Sequence, residues 1–76
     1  MNKQRREQIA KIAEAISELS SKLETLRDEE QEYLDNMPES LQGSEKAQTA
    51  ESVVSNLDDA INSLEEVVSP LEEAQE

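Results

Sequence analysis

Apolar residues recur at heptad spacing in the second half of the chain, where three seven-residue units run from Val53 to Glu73. Each unit carries aliphatic residues, small polar residues, a leucine and then two acids. In an α-helix this repeat forms three adjacent apolar rows, which are Leu57, Leu64 and Leu71; Val53, Ala60 and Val67; and Val54, Ile61 and Val68. The pattern predicts a helix over about residues 45–74 with a broad apolar face.

The first half carries a narrower apolar seam, with steps of three and four residues typical of a heptad-repeating helix. Its members are Ile9, Ile12, Ile16, Leu19, Leu23, Leu26, Tyr33 and Met37. Glu30 interrupts the seam, and we interpret it as reaching solvent near the end of the helix, with a role in fixing the register as the alternative. This pattern predicts a helix over about residues 4–36.

Between the two helices, Pro38 and Gly43 mark a corner over about residues 37–43. Proline ends the first helix because it cannot donate to the helical ladder, and Gly43 permits a positive φ. Ser44 is a suitable N-cap for the second helix. Pro70 predicts a kink or restart near residues 69–70, since Ser69 and Glu72 have the spacing of a capping box around it.

Two helices of similar length joined by a short corner predict an all-α antiparallel hairpin, with residues 1–76 as one domain. The register suggested by the seams pairs Leu26 with Leu57, Leu19 with Leu64, Ile12 with Leu71, Tyr33 with Ala50, and Met37 with Ala47. One helix cannot cover three rows, so Val54, Ile61 and Val68 are the predicted self-association residues. Two hairpins paired through that row would form a homodimeric four-helix bundle, with a monomeric hairpin or a heteromeric bundle as alternatives.

The charge of the chain is strongly acidic, with a net value of −12. The first 34 residues hold six bases and eight acids, whereas residues 35–76 hold one base and eleven acids. Such a surface repels nucleic acid and anionic lipid and attracts a basic protein surface. We therefore expect a protein partner with a basic surface, no direct contact with nucleic acid or membrane, and a cytoplasmic location, since no apolar run is long enough to span a bilayer.

The few basic residues near the amino terminus have a second interpretation. In the predicted register Lys3, Arg5, Arg6 and Lys11 lie beside the acidic end of the second helix. We expect them to form salt bridges with Glu72, Glu73 and Glu76 rather than to bind phosphate.

The composition argues against enzymatic chemistry. Histidine and cysteine are absent, and no serine has an evident general base. The acids follow no calcium-loop spacing. We therefore expect no catalytic residue, no metal and no cofactor.

Acidic pairs recur every seven residues along the second helix, at Asp58 and Asp59, Glu65 and Glu66, and Glu72 and Glu73. They are the predicted acidic partner surface. The simplest interpretation is a solvated outer face. The sharper one is a nucleic-acid mimic, in which ordered carboxylates occupy the basic groove of a DNA-processing or defence enzyme.

The run from Asp28 to Gln42, followed by Ser44-Glu45 and by Leu57 to Glu66, resembles small acidic helical-hairpin proteins of unassigned function encoded by phages and prophages of Gram-positive bacteria. The most specific element is the corner Pro38-Glu39-Ser40-Leu41-Gln42. The resemblance implies a phage accessory protein that binds another protein, and it implies no site residues. A purely structural assembly module is a further alternative.

Overall fold

The computed structural model describes residues 2–75 and consists of two long antiparallel helices. Helix α1 spans Lys3–Asp35, helix α2 spans Glu45–Glu73, and a short 3₁₀ helix over Glu39–Leu41 lies in the corner between them. The predicted all-α helical hairpin is confirmed, and both helices end within one residue of the predicted positions. The hairpin is a rod about 60 Å long and 14 Å by 12 Å in cross-section.

Short polar side chains cap the amino termini of both helices. The Asn2 side chain accepts a hydrogen bond of 2.8 Å from the Arg5 backbone N–H, and Ser44 Oγ accepts one of 3.4 Å from the Ala47 backbone N–H. Each cap satisfies one of the helix-terminal donors that lack an intrahelical partner. Ser44 therefore starts α2, as predicted.

Local backbone bonds close the corner. The Leu41 N–H donates to the Pro38 carbonyl at 2.8 Å, and the Ser44 N–H donates to the Leu41 carbonyl at 3.0 Å. Among residues 2–75 no residue has a positive φ. The chain therefore turns without the left-handed conformation that Gly43 was expected to permit.

Helix α2 continues through Pro70 to Glu73. Of the kink or restart predicted near residues 69–70, the restart does not occur, because α2 is continuous there. The Ala74 N–H donates to the Pro70 carbonyl at 2.9 Å, so the ladder resumes beyond the proline. Packing of the apolar residues on either side of Pro70 favours one continuous helix despite the missing N–H.

The interface between the helices is thin and uses small residues. The seam is built from buried or partly buried positions on both sides of the corner. Those on α1 and just after it are Ala13, Ile16, Ser20, Leu23, Arg27, Glu30, Leu34 and Met37. Those on α2 are Ala47, Ala50, Val54, Leu57, Ile61, Leu64, Val68 and Leu71. Among residues 2–75, the buried apolar residues are Ala13, Met37, Ala47, Ala50 and Ile61. Three of these five are alanines, so little apolar volume is enclosed within one chain.

Helix α1 is rotated by about one row from the predicted orientation. Half of the predicted α1 seam faces outward, namely Ile12, Leu19, Leu26 and Tyr33, which are each 50 to 53% exposed. Ala13, Ser20, Arg27 and Leu34 take their place against α2. The register near the corner is nevertheless close to the prediction, because Tyr33 and Ala50 line the same concavity.

Candidate interaction surfaces

One long side of the hairpin carries an exposed apolar surface built from both helices. Helix α1 contributes Ile12, Leu19, Leu26 and Tyr33, and α2 contributes Val53, Ala60 and Val67, which together we call the apolar face. Members from the same helix are seven residues apart, or two helical turns, so each helix presents a straight row. Ala60 is partly buried and the other six members are exposed.

Two concavities show that these rows share one side of the hairpin. A concavity of about 400 Å³ is lined by Glu30, Tyr33, Glu45, Lys46, Thr49 and Ala50. Tyr33 belongs to the exposed α1 row, and Lys46 lies one heptad before Val53 in the α2 row. A second concavity brings Leu34 and Asp35 beside Glu51, which lies on the other flank of α2. The apolar rows therefore face one way, and the Glu51 row faces the other.

The acids of α2 all lie on the side of the helix away from the apolar face. Its eight acids fall in two helical rows about 100° apart, one with Glu51, Asp58, Glu65 and Glu72, and one with Glu45, Asp59, Glu66 and Glu73. The row between them is uncharged, with Gln48, Ser55, Asn62 and Ser69. We call the eight acids the acidic face. It contains all six residues of the predicted acidic partner surface, and every member except the partly buried Asp58 is exposed.

Arg27 links α1 to this acidic face. Its Nη1 lies 2.9 Å from Asp58 Oδ1, and its Nη2 lies 3.0 Å from Asp28 Oδ1. The hydrogen bonds to Asp58 and then Asp28 raise the pKa of the Arg27 guanidinium. Sequence reasoning missed this cation, although an arginine in a seam row opposite a row of acids is a readable signal.

The predicted self-association row lies mainly inside the hairpin. Ile61 is only 3% exposed, and Val54 and Val68 are partly buried. The premise that α1 leaves this row uncovered is therefore wrong. Val54, Ile61 and Val68 pack in the seam against α1. The row of Val53, Ala60 and Val67, which has alanine in place of isoleucine, remains outside the seam.

The expected salt bridges between the two ends of the chain do not form among residues 2–75. The ion pairs in this part of the chain both involve Arg27, and Lys3, Arg5, Arg6 and Lys11 lie beyond bonding distance of Glu72 and Glu73. Glu76 lies outside the described residues. Near the surface, side-chain entropy offsets most of the gain from pairing long charged side chains.

Among residues 2–75, the acids form no cluster of three or more that could hold a metal ion. Neither α1 nor α2 contains an apolar stretch long enough to cross a membrane.

Comparisons with protein-family models, with curated proteins and with solved structures give no match to this chain.

Proposed function

We propose that this protein is a non-enzymatic binding module, which self-associates and presents its acidic face to a basic surface on another protein. The observation that carries the proposal is the segregation of the α2 surface, with every acid on one side of the helix and aliphatic residues on the other. A surface shaped only for solubility usually mixes both signs of charge, whereas α2 carries eight acids and a single base, Lys46.

The side-chain inventory supports a binding role over catalysis. The chain has no histidine or cysteine, which removes the commonest general bases and the strongest nucleophile. The larger concavity offers Glu30, Glu45, Lys46 and Tyr33, but no nucleophile paired with a base and held by a third group.

The corner and both helices resemble small acidic phage proteins, and this resemblance supports a role as a phage accessory protein in a host cell. In that setting the protein acts in the host cytoplasm, where it binds a host or phage protein and changes its activity.

A charge-matched set of variants tests the acidic face. The neutral variant combines Asp59→Asn, Glu66→Gln and Glu73→Gln, and the control combines Asp59→Glu, Glu66→Asp and Glu73→Asp, which keeps the charge. These exposed residues lie in the row that does not include Asp58, so the Arg27 ion pair is left intact.

Proteins captured from a Gram-positive host lysate by the wild type are purified, and their affinities are measured at several salt concentrations. We expect binding by the wild type and the control, at least tenfold weaker binding by the neutral variant, and weaker binding at high salt. A partner that binds all three proteins equally and without salt dependence would contradict the proposal.

A second candidate, a nucleic-acid mimic, is favoured by the length of the acidic face. The acidic face extends from Glu45 to Glu73. Within each of its rows, carboxylates seven residues apart are separated by about 10.5 Å along the helix axis. A mimic competes with duplex DNA for its partner, whereas a binder of another basic surface leaves the DNA site free. Competition by a short DNA duplex for the captured partner therefore separates the two functions.

A further inference from the structure

We propose that the apolar face binds the same face of a second copy of this chain, with the two-fold axis parallel to the helices, so that α1 of each copy packs on α2 of the other. This inference rests on the self-association in the proposed function. It assigns the surface that makes the dimer and the geometry of the resulting four-helix bundle.

The exposed area of the chain supports an interface of ordinary size. The hairpin exposes 5666 Å², whereas a folded monomer of 8.5 kDa is expected to expose about 4,650 Å². The excess is about 1,000 Å² per chain, and a standard protein interface buries about 800 Å² of each partner. Covering one long side would bring the exposed area to the value usual for a folded protein.

The distribution of charge selects a second copy as the occupant. The row that borders the apolar face on α2 is uncharged, with Thr49, Asn56, Ser63 and Pro70. The row that borders the apolar face on α1 has one cation, Lys22, and one anion, Glu29. Its other members are Gln8, Ala15 and Asn36. Two chains with a net charge of −12 each would repel strongly if their acidic faces met, but they can join along this nearly neutral side.

The two rows of the apolar face differ in side-chain size. Helix α1 presents the larger Ile12, Leu19, Leu26 and Tyr33, and α2 presents the smaller Val53, Ala60 and Val67. The Arg27–Asp58 ion pair places Leu26 about level with Asp59, one residue from Ala60, so the two rows run side by side along the hairpin.

This difference in size determines the direction of the two-fold axis. An axis parallel to the helices packs the large α1 row of each copy against the small α2 row of the other. An axis perpendicular to the helices, lying between the two faces, would pack the two large α1 rows together and the two small α2 rows together. Close packing favours the first arrangement, since voids and overpacking both cost stability.

The first measurement is the mass in solution by light scattering over a range of protein concentrations. We expect the wild type at twice the chain mass, Leu26→Glu as a monomer, and Thr25→Glu as a dimer. Thr25 is the adjacent exposed residue outside the apolar face, so the two variants carry the same added charge. Circular dichroism checks that Leu26→Glu stays helical, as expected for a side chain already half-exposed in one chain.

The second measurement uses disulfides to determine the axis, because the chain contains no cysteine. Leu26→Cys and Ala60→Cys proteins are prepared separately, mixed under reducing conditions and oxidised. We expect a cross-linked dimer from the mixture and none from either protein alone, since identical positions lie diagonally opposite in the bundle, beyond the roughly 7 Å that a disulfide spans between Cα atoms.

The alternative outcomes are distinct. A wild-type monomer, or a Leu26→Glu dimer, would overturn the assignment of the apolar face. Cross-linking of Leu26→Cys or Leu19→Cys with itself, without a cross-link in the Leu26→Cys and Ala60→Cys mixture, would overturn the axis. Failure of the acidic-face proposal is seen separately, in the salt dependence of partner binding.

Discussion

Arg27 and Asp58 form the ion pair that joins α1 to α2, with Arg27 Nη1 2.9 Å from Asp58 Oδ1. The bond makes Asp58 the one member of the acidic face that is tied to the other helix. Because the pKa of Arg27 is raised above an ordinary value that is already strongly basic, its stabilising charge is present at lower pH and is lost only as the pH rises through that raised value. The guanidinium therefore contributes throughout the neutral and mildly alkaline range.

The first prediction concerns this pair. Asp58→Asn should lower the urea midpoint, because it removes the carboxylate that holds Arg27. Asp59→Asn removes an adjacent exposed charge that has no cation partner among residues 2–75, so it should leave the midpoint unchanged or raise it. The difference between the two variants should shrink as salt is added. Equal midpoints at low salt would show that the ion pair does not stabilise the hairpin.

The second prediction separates the seam from the apolar face. Ile61→Ala removes a side chain that is 3% exposed, so it should lower the free energy of unfolding by about 2–5 kcal/mol. Ile12→Ala removes the same atoms from a half-exposed position, and it should cost clearly less. The comparison is made by urea unfolding at a protein concentration where the chain is monomeric. Similar losses at both positions would mean that α1 is rotated toward the orientation predicted from sequence.

The overall fold could be predicted from sequence because its determinants are local. Heptad spacing fixes the helical period, Asn2 and Ser44 supply caps, and Pro38 ends the first helix. These signals place the helix ends to within a residue. The register near Tyr33 and Ala50 also followed, since a short corner leaves little freedom in how the two helices pair.

The rotation of each helix about its own axis could not be predicted in the same way. On α1, apolarity favours Ile12, Leu19 and Leu26 for the seam, but the structure places Ala13 and Ser20 there. Bulky α2 residues already fill the interface, so small α1 residues allow closer packing. On α2, Ile61 is larger than Ala60, and this difference in size favours the Ile61 row for the seam and the Ala60 row for the outer surface.

The third prediction concerns the corner. Gly43 has no positive φ, and a Cβ built on it meets nothing within 4 Å. Gly43→Ala should therefore raise the free energy of unfolding by about 0.4–1 kcal/mol, because alanine restricts the unfolded chain more than glycine does. The control is Gly43→Asn, since asparagine tolerates the left-handed region better than alanine. Greater stability of the asparagine variant in urea unfolding would show that the corner uses a positive φ.

The fourth prediction concerns Pro70, which lies inside α2 and is exposed. Proline cannot donate a hydrogen bond to the carbonyl four residues earlier, at Glu66, and its ring crowds that carbonyl. Pro70→Ala restores the donor within a helix that is already continuous. We expect the free energy of unfolding to rise by about 1–3 kcal/mol, measured by urea unfolding followed by circular dichroism.

Ser69→Ala is the matched control, because it introduces alanine at the neighbouring exposed position without changing the backbone donors. Its gain should stay within the roughly 0.5 kcal/mol that separates the helix propensities of serine and alanine. If Ser69 instead capped a separate helix that starts at Pro70, both substitutions would lower the stability, since one would remove the cap and the other a favoured first residue. Pro70→Ala therefore raises the free energy of unfolding if α2 is one helix and lowers it if a separate helix starts at Pro70.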